Sequence, residues 1–541
     1  MDDIVRTQVL VVSAGPCGTT IANLLGVYGI ESLLVDKAPE VVDFPRGVGV
    51  DDESLRVFQS AGLGETVHAD MIQNQLLRYF DSSGRYLVEI APSAQPFGWP
   101  RRNSFLQPML EKKLRAGLDR FAHVGLRVST ELLTLEQDDE GVTARMRDDS
   151  GEEFTVRADY VVGADGGRST VRKLVGATLE GSTLGARWLV VDLKDAELHA
   201  PYAGNYISST RPHVSIDLPF GYRRFEFRLA EHETDEEMLK PGAVERLIRK
   251  HFDWDGPMPG LERGRIYQHH SRVADRFRTG RVFLAGDAAH LQPPWFGQGM
   301  NSGIRDAANI AWKLAAVLAH GADDRILDTY HTERHGHAKA MVDLATTLGK
   351  VYSPKTKLGE RARSLLLRAS VRVPSARDYI LQMKFKPMPF YRQGVVAHRR
   401  TDDASPAGKM FIQPAVETED GTRLRLDDAV GPWFAVIGIN IDPADHLSEE
   451  SAAYWRSLGA QLIRVNRSRA GKHLRTTDAG TLLLDDTAGG FRDWHKGARS
   501  REIVVLRPDR YLAATCAGDE LDDLTARFRR IMPVREPAVR T

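Results

Sequence analysis

Residues 280–314 read GRVFLAGDAAHLQPPWFGQGMNSGIRDAANIAWKL. The run Val282 to Ala285 is short and apolar, as a buried strand is, and it stops at Gly286-Asp287. A Pro- and Gly-rich loop follows, and from near Asn301 apolar residues recur at helical spacing. This order predicts a carboxylate at a strand's end with a helix N-terminus just beyond it. Such a terminus presents free N–H groups and the positive end of the helix dipole, so it favours a ligand that carries negative charge. Gly297 and Gly299 leave bare backbone in the loop, against which a flat ligand can lie.

Two further stretches have the same form. Gln8 to Val12 is an apolar strand that enters Ser13-Ala14-Gly15-Pro16-Cys17-Gly18, then a helix with Ala22, Leu25 and Gly29 at helical spacing, then a strand ending at Asp36. This is the βαβ pattern of dinucleotide binding: glycines let a pyrophosphate approach the backbone, and an acid about 20 residues on meets a ribose hydroxyl. Ser13 stands where the pattern has its first glycine, and a negative φ there would accommodate a small residue at little cost. Cys17 is expected to be a small packed residue. The third stretch, DYVVGADGGRSTVR from Asp159 to Arg172, again runs from an apolar strand into Ala164-Asp165-Gly166, with Asp165 and Arg172 as its candidate working residues.

These motifs, in this order and at these separations, resemble the single-component FAD-dependent aromatic hydroxylases, relatives of p-hydroxybenzoate and phenol hydroxylases. PFGWPRRNSFLQP, RRFEF, NSGIRDAANIAWKLA, KMFIQP and VVLRPDRYLAAT are similar to the branch acting on 3-(3-hydroxyphenyl)propionate. The resemblance implies an α/β fold: a Rossmann-like FAD-binding domain (1–180 and 276–395), an inserted, mostly antiparallel β-sheet substrate domain (181–275), and a thioredoxin-like C-terminal domain (396–541). It also implies bound FAD, with NADH or NADPH and O2 as co-substrates. A phenol bearing a carboxylate side chain would be hydroxylated ortho to its OH through a flavin C4a-hydroperoxide, giving a catechol.

Carried over residue by residue, the pattern assigns Ser13, Gly15, Pro16, Gly18 and Arg46 to the pyrophosphate and Asp36 with Lys37 to the adenosine ribose. It assigns Gln107, Asp165, Gly286, Asp287, Pro294, Gly299, Met300 and Asn301 to the rest of the flavin nucleotide. Arg101 and Arg102 accompany Gln107 as either site residues or solvent-facing charges. Two alternatives stay open: a hydroxylase of another phenol or an aromatic polyketide, and a non-catalytic FAD-fold carrier in which Ser13 marks a decayed site.

At 541 residues the chain exceeds one core and suggests about two to four domains. Lys+Arg and Asp+Glu balance at 73 each, so no global charge points to nucleic acid or a membrane surface. No apolar run approaches the roughly 20 residues that span a bilayer. MDDIVRTQVL begins acidic and enters a strand, unlike a secretory signal, and two cysteines, Cys17 and Cys516, make neither a disulfide framework nor a metal cluster. A cytoplasmic enzyme without metal fits these features.

Glu131 to Glu153 alternates around Asp-Glu-Gly and Asp-Ser-Gly turns and predicts a β-hairpin. ARWLVVDL, HVSIDLP, YRRFEFRL and GRIYQHHSR then predict the inserted sheet, one face of which would hold an aromatic ring. Arg211, His213, Arg223 and Arg224 are candidate partners for a substrate carboxylate. Alternation sends Arg223 and Arg224 to opposite faces, so at most one lines the cavity. Tyr267, His269 and His270 are candidate proton handlers, and Tyr267, His269, Arg223 and Pro294 form the expected catalytic set. Trp295-Phe296 would narrow the cavity toward a flat substrate. The helical stretch from Asp323 to Lys350 carries His331, His335 and His337, expected on a solvated face. The C-terminal region has no Cys-x-x-Cys, which leaves it a structural or homodimer-contact role.

Overall fold

The computed structural model describes residues 4–534 apart from 45, 197, 199, 253, 255, 259, 398–404, 467–479 and 498–500. The three predicted strands are neighbours in one sheet. Ile4–Val12 pairs in parallel with Glu153–Gly163, which pairs in parallel with Val282–Leu284, in a register that aligns Val12, Gly163 and Leu284. Three chain segments far apart in sequence therefore end at one level. Ser32–Val35 extends the sheet on the far side of Ile4–Val12. These strands are buried along almost their whole inner length, as expected where helices cover both faces. The predicted hairpin forms from Glu131–Gln137 and Val142–Arg147, and its second strand joins the same sheet beside Glu153–Gly163.

The turn after the first strand differs from expectation at Ser13. Its φ is +92°, the left-handed region that a non-glycine residue enters at a cost. The conformation is held because Asp36 accepts from the Ser13 hydroxyl at 3.2 Å and from the Ala14 N–H at 2.6 Å. Gly18 is needed for close packing: a Cβ there would stand 1.9 Å from the Ser13 carbonyl oxygen.

A second sheet has eight strands. Leu179–Lys194 runs at its centre between Tyr222–Arg228 and Leu261–Ala274, both antiparallel to it. The sheet is not confined to 181–275, because Leu77–Phe80, Tyr86–Ile90 and His290–Leu291 also join it. Leu77 and Tyr79 are buried while Arg78 and Phe80 are less so, the alternation of a half-covered strand.

Direct cross-strand partners share a face. Tyr79, Asn205, Val214, Glu226, Val190 and Arg265 accordingly make one row across this sheet. Trp188 and its partner Tyr267 lie on the same side, which faces the nucleotide domain. The opposite side carries Leu189, Val191, Leu193, Phe225 and Phe227, closed over by the helix Pro241–Phe252.

In the C-terminal region, Ala435–Ile439 lies between the parallel Gln461–Asn466 and the antiparallel Ile503–Leu506, followed by antiparallel Leu512–Cys516. With the helices Glu449–Ser457 and Leu521–Ile531 this is the thioredoxin arrangement. It is fused to the nucleotide domain rather than tethered. Trp312 meets Phe434 edge-on at 5.4 Å, and buried Glu333 accepts from Lys313 and from Arg507, each at 2.8 Å. Burial depresses the Lys313 ammonium to about 8, although Glu333 opposes it.

The helix Asp328–Tyr352 does not present its histidines to water as expected. His331 and His335 lie 4.7 Å apart and pack on Phe277, and His337 is enclosed beside Arg334, so burial and that charge hold it neutral. The helix packs one side against Leu261–Ala274, while its solvated face is carried by Thr332, Lys339, Asp343 and Lys350 rather than by the histidines.

A buried cluster braces the helix Asp52–Ser60 against the helix Gly299–His320. Lys386 donates to Asp51 at 2.8 Å and to Glu53 at 2.7 Å, and Arg305 donates to Glu53 at 2.7 Å and to Asp51. Asp52 is less well served: Arg101 stands 3.6 Å from it, and burial, with the Asp51 and Glu53 charges, pushes its pKa up to about 6.

Two outcomes are expected. Ser13→Gly should raise stability by about 1 kcal/mol from relief of the left-handed strain, while Gly18→Ala should lose bound flavin; a melting curve and the flavin absorbance of the purified variants check both. Because the folded pKa of Asp52 lies above its unfolded value, its contribution is fully present below about pH 4 and is lost as pH rises through about 6. Asp52→Asn should thus gain on the native protein by on the order of 2 kcal/mol between pH 4 and pH 7. Melting temperatures that differ by the same amount at both pH values would contradict this.

Candidate functional site

At the common strand ends, the first strand passes into the helix Pro16–Val27 and the third, through the 286–298 loop, into the helix Gly299–His320. Neither helix has a side-chain cap or an acid in its first turn. The first helical bonds run from Thr19 N–H to the Gly15 carbonyl and from Ser302 N–H to the Gln298 carbonyl. The N–H groups before them, including those of Met300 and Asn301, are left without helical partners. Two positive helix ends thus meet the same crevice.

The carried-over residues divide by what their side chains do. A Cβ at Gly15 would meet only the Ser13 hydroxyl, at 3.9 Å, so that position is open to a ligand. Asp287 is exposed to the crevice and has no hydrogen-bond partner among the described residues; surrounding protein raises its pKa by desolvation, opposed by His290 and Arg46. Arg46 and Lys37 are exposed, and Pro294 is exposed at the loop. Asp36 uses both oxygens on the turn: Oδ2 is filled by the Ser13 hydroxyl and the Ala14 N–H, while Oδ1 takes the Ala38 N–H at 2.8 Å and keeps an accepting site.

Other members shape the crevice. The Gln107 carbonyl oxygen accepts from the Arg46 and Gly47 N–H groups at 3.0 and 2.7 Å, and its amide donates to Glu111. Asp165 caps the short helix Thr170–Leu174, accepting from the Thr170 and Val171 N–H groups. Arg172 donates to the Ala288 carbonyl at 2.9 Å and the Gly167 carbonyl at 2.8 Å, tying the second strand end to the third. The Asn301 side chain donates to the Gly49 and Gly297 carbonyls and accepts from Asp51 N–H and the Ser54 hydroxyl, which leaves its backbone N–H for a ligand.

The donor set fits a flavin dinucleotide: two uncapped helix ends and Arg46 for the pyrophosphate, acids at residues 36 and 287 for hydroxyls, and the glycine-lined loop for a flat ring.

On the substrate sheet, Arg223 does not belong to the cavity. It lies on the helix-covered face, where it is spent on Asp217 at 2.8 Å, Ser215 and the Leu198 and Ala200 carbonyls. The alternation was right, and Arg224 takes the inward side. It binds both oxygens of Asp192, at 2.8 and 2.9 Å, and holds the Arg46 carbonyl. Arg211 is forked onto Glu233, and His213 stacks 4.5 Å from Tyr206 under the helix with burial lowering its pKa to about 3.

Tyr267 and His269 do face the nucleotide domain. The Tyr267 hydroxyl accepts from Arg263. His269, stacked on Trp188 at 5.7 Å and edge-on to Trp295 at 5.5 Å, is held neutral by burial, with a pKa of about 4. His270 turns away and bonds Thr183. Trp295 joins Trp188 edge-on at 4.7 Å and Tyr352 at 5.2 Å, closing an aromatic wall; the Phe296 side chain lies outside the described residues. Tyr79 and Tyr352, which sequence reasoning passed over, complete this wall. The signal for Tyr79 was the alternation of LRYF at residues 77–80.

Among the described residues no helix is long and apolar enough to cross a membrane. The FAD binding domain family matches residues 6–345, and the HcaD C-terminal domain family matches 408–531. A 3-(3-hydroxy-phenyl)propionate/3-hydroxycinnamic acid hydroxylase of Burkholderia cenocepacia is 46% identical, covering 97% of this chain and 96% of that one. A second hydroxylase of that description, from Burkholderia vietnamiensis, is 44% identical over 98% of this chain and 97% of its own length. The crystal structure of aklavinone-11 hydroxylase with FAD and aklavinone is 26% identical and superimposes with a TM-score of 0.77, covering 98% of this chain and 99% of that one. The chain therefore belongs to the FAD-binding-domain family of flavin-dependent aromatic hydroxylases.

Proposed function

We propose that this enzyme uses NADH or NADPH and O2 to hydroxylate 3-(3-hydroxyphenyl)propionate and 3-hydroxycinnamate ortho to the phenol OH, giving 2,3-dihydroxy products. The observation that carries this reading is the 44–46% identity, over 97–98% of the chain, to relatives described by those substrates. When bound, FAD supplies hydride acceptance and oxygen activation, which side chains lack.

The chain's own residues do the rest. The Met300 and Asn301 N–H groups, at an uncapped positive helix end, stabilise negative charge that develops against them. Trp188, Trp295 and His269 hold a flat ring and keep water from it. Tyr267, on the same side and hydrogen-bonded to Arg263, is the phenol's proton handler, and Pro294 borders the ring at the loop.

A cytoplasmic location and a homodimer complete the proposal. The Cys17 thiol, which is in no disulfide, suits a reducing compartment. Leu358, Leu365 and Leu366 are 67–78% exposed on the helix Lys357–Ser370, an apolar strip suited to a second copy.

The test is anaerobic mixing of the holoenzyme with NADH or NADPH, with and without each phenol. Flavin bleaching is expected to be many times faster with 3-(3-hydroxyphenyl)propionate present, and aerobic turnover should yield its catechol. Reduction indifferent to that phenol and accelerated by another would overturn the substrate.

A further inference from the structure

The acid end of such a substrate needs a cation on the nucleotide-facing side of the eight-stranded sheet. The three arginines of the sheet considered as anchors are already committed: Arg223, on the other face, to Asp217, Arg224 to Asp192 and Arg211 to Glu233. Arg102 differs. It immediately precedes Asn103–Ser104, which pairs with Gly49–Val50, and the Gly49 carbonyl is held by Asn301 at the start of the helix Gly299–His320. Arg102 is half-buried, desolvation lowers its pKa, and its Nε donates to the Gln75 carbonyl at 3.3 Å. Among the described residues it has no carboxylate partner; the groups that act on it electrostatically are the Tyr79 and Tyr352 hydroxyls.

Those two hydroxyls are 2.6 Å apart, and their rings stack at 5.6 Å. Tyr79 stands in the inward row of the sheet, and Tyr352 touches Trp295 of the aromatic wall. A partly desolvated guanidinium without a counter-ion is disfavoured, and its planar fork matches a carboxylate. One O–H of the hydroxyl pair is spent on the other, and the second offers a further donor beside it.

We propose that Arg102, assisted by the Tyr79–Tyr352 hydroxyl pair, is the carboxylate anchor of the substrate cavity and sets the preference for aromatic acids over neutral phenols. The proposal rests on the reading of the substrate as a hydroxyphenyl acid. The anchored side chain then directs the ring along Trp295 and Trp188 toward Tyr267.

The experiment is a titration of the FAD-loaded enzyme, followed by the flavin absorbance shift, with 3-(3-hydroxyphenyl)propionate and with its neutral analogue 3-(3-hydroxyphenyl)propan-1-ol. The native enzyme should bind the acid more tightly than the alcohol. Arg102→Gln should weaken the acid ~100-fold, about 2.8 kcal/mol, and leave the alcohol's affinity and the bound flavin unchanged. Arg102→Lys should fall between, having charge but no fork. Unchanged acid affinity in Arg102→Gln, or equal weakening of both ligands, overturns the anchor alone. Native enzyme that binds neither ligand overturns the substrate reading and the anchor with it.

Discussion

A Cβ on Gly303 would stand 3.0 Å from the Cα of Gly286, and the nucleotide end of the molecule depends on that close approach. It lets the helix Gly299–His320 ride directly on the third strand's end and beside Cys17 of the first helix, whose thiol donates to the Gly303 carbonyl at 3.2 Å. The contact is locked by Asp306, fully buried one turn along. It accepts from the Gly286 N–H at 3.0 Å, from His290 at 2.7 Å and from Arg334 at 2.8 Å. Replacing either glycine by a larger residue would push the two helix ends apart, and they act on one ligand only if both reach it.

The substrate side obeys a different constraint, the two-sidedness of a sheet. One face is closed by the helix Pro241–Phe252, so charged residues there must find partners within the protein. The other face meets the nucleotide domain and carries the aromatic wall. The C-terminal domain stiffens this arrangement from behind, because the ions that bind it to the nucleotide domain, Glu333, Lys313 and Arg507, all lie out of solvent.

Much of this was legible in the sequence, for a physical reason. Buried parallel strands are unbroken apolar runs, and each of the three ends in a small-residue turn, so the strand ends at residues 12, 163 and 284 could be read one by one; their common register follows from sheet pairing. The parity of Arg223 and Arg224 was legible too, since it follows from pleating alone. Which of them points inward was not, because that depends on where the helix Pro241–Phe252 packs. The negative φ expected at Ser13 failed because the Asp36 carboxylate, distant in sequence, fixes that turn. Tyr79, Tyr352 and Arg102 were hidden for the same kind of reason: three segments meet there that share no local pattern.

The central claim is that three strand ends and two uncapped helices form one flavin site. Calorimetric titration of the flavin-stripped protein with FAD measures this most directly. One FAD bound per chain, with Asp287→Ala weakening it and leaving the stoichiometry at one, is the expected result. Protein that takes up no FAD, or that binds it equally well without the Asp287 carboxylate and with alanine at Gly18, would contradict the account.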